Sequence, residues 1–178
     1  NKLICNFPKS ATLNDVIREK LSNYNKFDFV VGYFGLPTLS EHEAEILNQI
    51  KNNDSSYRLI LGLAHWEGLS EKSITKLESF HRNVQSLDPD SGVWIITENK
   101  FHGKFYLFGD SSSYREAIIG SSNFSRAGLS TNYEVNLHTN EQHILSQLID
   151  IKERLLKTSY PIGKHDLTIK GVSKKSYK

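Results

Sequence analysis

A chain of 178 residues with 38% hydrophobic and 24% charged residues has the composition of one globular domain. No apolar run approaches the roughly 18 residues that a membrane-spanning helix needs, and no signal peptide is recognisable, which argues against membrane and secreted proteins. The single cysteine, Cys5, excludes an internal disulfide and fits a reducing cytoplasm, while a net charge of +2 permits a local basic groove without itself indicating nucleic-acid binding.

The amino-terminal part predicts a strand, a helix and a second strand. Residues 1–7 are typical of a short strand, and Thr12 with Asp15 forms a capping box that begins a helix. The continuous apolar run at 27–34 is typical of a strand buried in an α/β sheet. Because this run ends between two glycines, Tyr33 is a candidate for stacking on a ligand or bonding to it; a core aromatic is the alternative.

The next segment repeats the alternation and contains two candidate ligand contacts. Ser40 caps a predicted second helix, residues 57–63 predict another buried strand, and Ser70 begins a third helix. His65 and Trp66 lie just beyond the carboxyl end of that strand, where open α/β sheets bind ligands. Trp66 is suited to stacking on a base and His65 to contacting a phosphate, with plain packing as the alternative.

Two further strands are predicted at 93–97 and 102–108, and we expect them to be neighbours in the sheet. In the second, His102 and Lys104 share one face, because side chains two apart in a strand point the same way. Burial of Phe and Leu side chains on the opposite face would bring the imidazole and the ammonium group together. Taken alone, such a pair is most often part of a solvated strand face.

Two more stretches carry small polar groups at the ends of apolar segments. Residues 117–119 lead into the sequence GSSN at 120–123, whose glycine, hydroxyls and amide suit an oxyanion or phosphate cradle. Residues 131–138 alternate strictly, with Asn132 and Glu134 on the polar face. The ordinary explanations are a turn in the first case and the wet side of a half-buried strand in the second.

Together the three stretches supply the groups needed for displacement at phosphorus. An imidazole serves as nucleophile or acid, and a lysine balances the charge on the phosphoryl oxygens. An amide and hydroxyls orient those oxygens, and a carboxylate fixes the imidazole tautomer. No step calls for a metal ion or another cofactor. Three such stretches, each after its own apolar run, rarely occur in this order by chance.

Three motifs at this spacing resemble the HKD signature of the phospholipase D superfamily: His102-x-Lys104, Gly120-Ser121-x-Asn123 and Asn132-x-Glu134. The fit is best to its nuclease members, in particular metal-independent type II restriction endonucleases, and it covers the chain to about Tyr160. The full signature places an Asp where this chain has Gly109, with Asp110 one residue later. That departure weighs against a lipid hydrolase more than against a nuclease.

The resemblance implies an endonuclease that cleaves DNA through a phosphohistidine on His102, which water then hydrolyses. It implies that Lys104 and Asn123 hold the non-bridging oxygens. Ser121 would support them, and Glu134 would orient the imidazole. The remaining candidates are substrate contacts on the same surface: Ser122, Asn132, Tyr33, His65 and Trp66.

Superfamily sites use two HKD copies whereas this chain carries one, so the resemblance implies a homodimer that shares one active site on double-stranded DNA. Two alternatives remain: a catalytically silent nucleic-acid-binding module of the same fold, and a phospholipase or phosphatidyl transferase. The first would lack part of the His, Lys, Asn and Glu set. The second would need an apolar patch or segment that faces a membrane, and the sequence contains no recognisable patch or segment of this kind.

The carboxyl-terminal part predicts an amphipathic helix capped by Asn140, followed by a lysine-rich segment. We assign 1–160 to a phospholipase D-like nuclease domain and 161–178 to a basic tail or a linker to a DNA-recognition domain. The alternation of elements predicts an α/β fold with a mixed, mostly parallel sheet and helices on both faces. Because the chain begins at Asn1 and contains no methionine, we expect a longer natural protein.

Overall fold

Buried strands alternate with amphipathic helices along the chain, and the computed structural model, which describes residues 1–163, joins the strands into one eight-stranded sheet. The strands are β1 (Lys2–Cys5), β2 (Lys26–Val31), β3 (Ser56–Leu61), β4 (Gly92–Ile96), β5 (Phe105–Gly109), β6 (Tyr114–Gly120), β7 (Val135–Thr139) and β8 (Ser159–Pro161). The helices are α1 (Leu13–Asn23), α2 (Leu36–Asn53), α3 (Ala64–Glu67), α4 (Glu71–Leu87) and α5 (Gln142–Lys157), and a π-helical turn spans Ala127–Thr131.

The sheet is mixed, with the order β1-β7-β6-β5-β2-β3-β4-β8. This confirms the predicted mixed α/β fold with helices on both faces. The expectation of mostly parallel pairing is corrected, because among the described strands only β2–β3 and β3–β4 pair in parallel. The turn at 110–113 joins β5 to β6 and is too short for a parallel crossover, and the longer segment 121–134 returns the chain as β7, antiparallel to β6.

The predicted strand at 102–108 is not a neighbour of the strand at 93–97. It begins at Phe105 as β5 and lies between β2 and β6, with Val30 opposite Phe105. The two neighbours of β4 are β3 and β8. Proximity in sequence was therefore a poor guide, because β5 has to bury both of its faces and finds that environment at the centre of the sheet.

Two apolar cores lie on opposite faces of the sheet. The larger contains side chains of α1, α2 and α4, for example Leu13, Ile46 and Phe80. The smaller contains α5 side chains such as Leu145. Along β5, Phe105 and Leu107 belong to the smaller core, whereas Tyr106 and Phe108 belong to the larger. This alternation confirms the predicted faces of β5 and places Lys104, one residue earlier, on the Tyr106 side.

Helix starts follow local signals in some cases and are overridden in others. The capping box of Thr12 and Asp15 is present, and Ser70 accepts a hydrogen bond from the backbone of Ser73 at the start of α4. The predicted cap at Ser40 is wrong, because α2 already begins at Leu36 and Pro37 lies in its first turn. Proline suits the first turn of a helix, where its missing N–H costs nothing. The cap of α5 is Glu141 rather than Asn140.

At the carboxyl end, β8 pairs with β4 and extends one residue past the domain boundary predicted at residue 160. Most of the predicted basic tail, residues 164–178, lies outside the described part of the chain. No helix within residues 1–163 has the combination of length and apolarity required to cross a membrane.

Candidate active site

The three sequence stretches meet at one end of the sheet. His102 and Lys104 lead into β5, residues 121–123 follow β6, and Glu134 precedes β7. Because β5, β6 and β7 are adjacent and antiparallel in turn, the start of β5, the end of β6 and the start of β7 lie together. The carboxyl end of β2 reaches the same place, since Val30 pairs with Phe105.

His102 lies exposed in the loop before β5, held against the end of β2. Its ring packs edge-on against the ring of Tyr33, with 5.8 Å between the ring centres. Beneath it lies Gly32, where a Cβ atom would come within 2.8 Å of the imidazole Cδ2 atom. The glycine at this strand end is therefore needed for the close approach of the imidazole to the backbone.

Lys104 is a buried cation, with only 7% of the residue exposed. Its Nζ atom donates to the backbone oxygen of His102 at 2.5 Å. Burial lowers the pKa of the Lys104 ammonium, and the negative charge of Glu134 opposes this shift. Within residues 1–163 no carboxylate reaches ion-pair distance of Lys104. A buried ammonium without an ion pair is a favourable position for an anionic ligand.

The backbone of the loop that follows β2 orients the Asn123 side chain. Its Oδ1 atom accepts a hydrogen bond from the backbone N–H of Tyr33 at 2.9 Å. Because that donor fixes the amide oxygen, the amide NH2 group points away from Tyr33 and is left to donate elsewhere. The backbone of Asn123 is held in turn by Ser125, whose N–H donates to its carbonyl oxygen at 2.8 Å.

Ser121 and Glu134 form a pair beside these groups. The Ser121 hydroxyl donates to the Glu134 carboxylate and accepts from the backbone N–H of Val135 at 3.2 Å. The contacts formed by the described residues include no hydrogen bond between Glu134 and His102. Glu134 thus lies where its charge acts on Lys104 and Ser121, and its predicted role in orienting an imidazole stays a prediction.

The predicted substrate contacts have different surroundings. Ser122 is fully buried, and its hydroxyl accepts from the Asn136 side chain at 2.9 Å. Its side chain therefore supports the loop and does not reach a substrate, because Asn136, which faces inward from β7, engages it. Asn132 is exposed at the end of the π-helical turn. His65 and Trp66 are exposed neighbours in α3, with ring centres 5.2 Å apart.

Glu67 is a site-adjacent residue that sequence reasoning missed. Its carboxylate accepts a hydrogen bond from the Tyr33 hydroxyl at 2.5 Å, and this bond raises the pKa of the phenol. Tyr33 therefore connects three segments of the chain: its backbone contacts Asn123, its ring contacts His102 and its hydroxyl contacts Glu67 in α3. The signal available in the sequence was position alone, since Glu67 follows the carboxyl end of β3.

The position of the missing HKD Asp lies at the opposite end of β5. Gly109 sits at a register shift between β5 and β6, where a Cβ atom would come within 2.2 Å of the Ser113 backbone oxygen. Asp110 organises the following turn, and hydrogen bonds from Ser112 and Arg115 lower the pKa of its carboxyl group. This departure from the signature therefore affects a turn remote from His102. No three His, Cys, Asp or Glu side chains of residues 1–163 are grouped as a metal site.

Solved structures with this fold include a phospholipase D family member and a phosphatidylserine synthase. NucT from Helicobacter pylori is 14% identical with a TM-score of 0.62, over 90% of this chain and 97% of that one. Nuc from Salmonella typhimurium, a phospholipase D family member, is 12% identical with a TM-score of 0.64, over 90% and 95%. Phosphatidylserine synthase from Haemophilus influenzae Rd KW20 is 17% identical with a TM-score of 0.62, over 84% and 36%. These likenesses establish the phospholipase D-like fold.

Comparison with curated proteins returned no significant match. A family model does match: the NgoFVII restriction endonuclease N-terminal PLD domain, over residues 11–167. The match includes every strand and helix from α1 to β8 and all three motifs at the end of the sheet. This chain belongs to the NgoFVII restriction endonuclease N-terminal PLD domain family.

Proposed function

We propose that this chain is the catalytic domain of a metal-independent endonuclease that cleaves double-stranded DNA. The observation that carries the proposal is the grouping of His102, Lys104 and Asn123 at one end of the sheet. An exposed imidazole complements a phosphodiester as a nucleophile. Within residues 1–163 the buried ammonium has no ion-pair partner and the amide NH2 group has no acceptor, so both suit the developing charge. Membership of a restriction endonuclease family supports DNA as the substrate.

The reaction proceeds in two displacements at phosphorus. The His102 imidazole attacks phosphorus, a P–N bond forms, and the bond to the leaving nucleotide oxygen breaks while a general acid protonates that oxygen. Water then attacks the phosphohistidine, gives its proton to the same group now acting as base, and releases His102. Lys104 and Asn123 donate to the non-bridging oxygens throughout. The positive charge that the non-bridging oxygens require is supplied by the protein's own side chains.

A second imidazole has to come from a second copy of the chain, since His102 cannot lie on both sides of phosphorus. Beside the site, the face of β1, β7 and β6 carries an exposed apolar strip: Leu3, Phe7, Ile119, Tyr133 and Val135. Tyr133 is 72% exposed and Val135 is 53% exposed, and they flank Glu134 in the sequence. A two-fold contact through this strip would bury it and bring two sites together.

Substrate contacts beyond phosphorus would come from the opposite wall of the site. Trp66 is 43% exposed and Tyr33 is 40% exposed, which leaves both rings accessible to bases. His65 and Asn132 are exposed at the same end and suit contacts to neighbouring phosphates. We place sequence specificity in a separate DNA-recognition domain that follows the carboxyl end of this domain.

The direct experiment is plasmid cleavage in the presence of EDTA by the wild-type chain, His102→Ala and His143→Ala. His143 is the matched control, because its side chain is 70% exposed on α5. Wild type and His143→Ala should cut, and His102→Ala should be inactive while remaining folded. Quenching during turnover with alkaline denaturant should trap a phosphoenzyme on His102 that is stable in base and lost on acidification. Cleavage that requires a divalent cation, or full activity of His102→Ala, would refute the proposed chemistry.

The dimer has its own experiment. When wild-type and His102→Ala subunits are mixed, activity should fall as the square of the wild-type fraction, because each shared site needs two imidazoles. Leu3→Glu should yield inactive monomers in sedimentation, since Leu3 is 64% exposed within the strip and contributes nothing to catalysis. A linear fall of activity on mixing, or a fully active monomer, would show that one chain suffices for cleavage and would refute the shared site.

A further inference from the structure

A second cleft lies at the other end of the sheet, away from His102. It has a volume of about 420 Å³ and is bounded by the start of β2, by β3, by the β5–β6 turn and by α5. Lys26 begins β2, whose far end leads to Gly32 at the candidate active site. Five residue steps at the rise of a strand separate Lys26 from Val31 by roughly 16 Å, so the two sites are distinct.

The floor of the cleft is a buried charge network centred on Asp28. This carboxylate is 1% exposed, accepts hydrogen bonds from Arg58 Nε at 2.8 Å and from the Tyr114 hydroxyl, and forms an ion pair with Lys152 Nζ at 3.2 Å. Burial and the neighbouring Asp28 charge raise the pKa of the Tyr114 phenol, which keeps it protonated as a donor. Lys152 also donates to Glu153 at 2.5 Å. Both oxygens of the Asp28 carboxylate are therefore engaged.

Several hydrogen-bond donors of the cleft, in contrast, have no partner in the described part of the chain. The terminal nitrogens of Arg58 have no hydrogen-bond partner among residues 1–163, since only its Nε atom is used. Lys26 places its ammonium 4.8 Å from the centre of the Tyr114 ring, and no described carboxylate pairs with it. The hydroxyls of Ser113 and Ser146 line the same space, again with no partner in the described part of the chain.

The charges that face the cleft sum to an excess of one positive charge. Three are cationic, on Lys26, Arg58 and Lys152, and two are anionic, on Asp28 and Glu153. Helix α5 begins at Gln142 on the rim, so the positive end of a 16-residue helix adds to the same potential. An excess of donors over acceptors, with positive charge, is the complement of an oxyanion.

We infer that this cleft binds a phosphate ester. The phosphate group lies between Lys26 and the terminal nitrogens of Arg58 and accepts from the serine hydroxyls. Its organic part lies on the apolar side chains of Leu145 and Ile149, which form the wall on α5. The phosphate belongs either to a free mononucleotide or to the backbone of bound DNA, and both present the same chemistry to the cleft.

Amide NMR on the whole chain separates this cleft from the candidate active site. Inorganic phosphate and deoxyadenosine 5′-monophosphate are titrated into ¹⁵N-labelled protein. Binding in the cleft should shift the amide signals of residues 112–114 and 142–146, whereas binding at the active site should shift those of 121–123. Shifts confined to the second group would overturn the inference and leave the proposed endonuclease function untouched.

A double variant, Lys26→Gln with Ser146→Ala, tests the assignment of ligands. Arg58 is left in place because it holds Asp28. The apparent Kd measured from the cleft signals should rise at least tenfold, and the Kd from 121–123 should not change. Lys51→Gln is the control, since Lys51 is exposed on α2, outside the lining of the cleft. Equal weakening by the control, or no weakening by the double variant with its thermal unfolding preserved, would overturn the inference.

The source of the phosphate follows from a third titration with a short DNA duplex that lacks terminal phosphates. If the cleft signals shift with this duplex, the ligand is a backbone phosphate and the double variant should lower the salt dependence of DNA affinity. If they shift only with the mononucleotide, the ligand is a free phosphate ester. If neither probe nor inorganic phosphate shifts them, no phosphate site exists in the cleft.

Discussion

The two ends of the sheet each contain a buried lysine, in opposite electrostatic settings. Lys152 is 2% exposed and lies within ion-pair distance of Asp28 and Glu153. Lys104 is 7% exposed and bonds only to the backbone oxygen of His102 among the residues described. A buried cation with its counter-ion in place contributes to the fold, and in the proposed function the one without an ion pair binds an anion from outside. Burial alone therefore does not distinguish the two lysines, whereas their ion pairs do.

The largest expected effect is that of Lys104→Met on catalysis. Loss of a donor to the developing phosphoryl charge should raise the barrier by ~3–4 kcal/mol, which lowers kcat by roughly 10²–10³-fold. Stability should stay the same or increase, because an unpaired ammonium is removed from a buried position. Cleavage kinetics and urea unfolding measure the two effects. A large loss of stability with activity retained would assign Lys104 to the fold.

Lys152→Met should show the reverse behaviour. Removal of one partner from the buried pair should destabilise the chain by about 3 kcal/mol, the lower end of the range for such pairs, because Asp28 keeps Arg58 and Tyr114. The specific activity of the folded fraction should not change. Urea unfolding combined with active-site titration checks this. Unchanged stability would show that the Asp28 network does not depend on Lys152.

The pH dependence of cleavage probes Lys104 directly. Because burial lowers the pKa of Lys104, the alkaline fall in activity should begin below the ordinary lysine value of 10.5. The Glu134 charge raises this pKa, so Glu134→Gln should move the alkaline limb to still lower pH in the activity that remains. The stability of the fold changes with pH in the opposite direction from the activity. Between the folded-state pKa of Lys104 and 10.5, the unfolded chain binds more protons at Lys104 than the folded chain does. The free energy of unfolding therefore rises with pH relative to that of Lys104→Met.

The pH experiment uses His138→Ala as its control. His138 bonds to Glu116 at 3.0 Å, and Glu116 also pairs with Lys20, so this imidazole is engaged away from the site. Its removal should change the rate by less than about tenfold and leave the alkaline limb in place. An alkaline limb that moved with His138 but not with Glu134 would contradict the assignment to Lys104.

The smallest expected effect is that of Tyr33→Phe. It removes the hydrogen bond to Glu67 and keeps the ring against His102 and the backbone bond to Asn123. A hydrogen bond at an exposed position is worth about 1 kcal/mol, so kcat should fall by less than roughly tenfold. Single-turnover kinetics measure this. Complete inactivation would show that the hydroxyl takes part in the reaction.

Sequence patterns predicted which stretches of the chain lie together better than they predicted the order of the strands around them. The faces of β5 follow from local alternation, so the position of Lys104 on the Tyr106 side was predictable, whereas His102 lies in the loop before β5, outside that alternation. The neighbours of β5 were not, because sheet order depends on which buried edges meet after folding. Ser122 looked equivalent to Ser121 in the sequence, yet Asn136 from β7 buries one and leaves the other exposed. Of the two carboxylates that pair with Lys152, Glu153 is its neighbour in the sequence, whereas Asp28 comes from β2, a distant part of the chain, and has no local signature.

The bond between the Tyr33 backbone and the Asn123 amide has a consequence for how this domain can diverge. Every amino acid except proline supplies a backbone N–H, so the side chain at position 33 can be exchanged without releasing Asn123. In the proposed function, substitutions at position 33 therefore change the wall of the site without changing the orientation of the Asn123 side chain that binds phosphate. A library of substitutions at this one position should contain many enzymes that still cut and that differ in which neighbouring bases they tolerate.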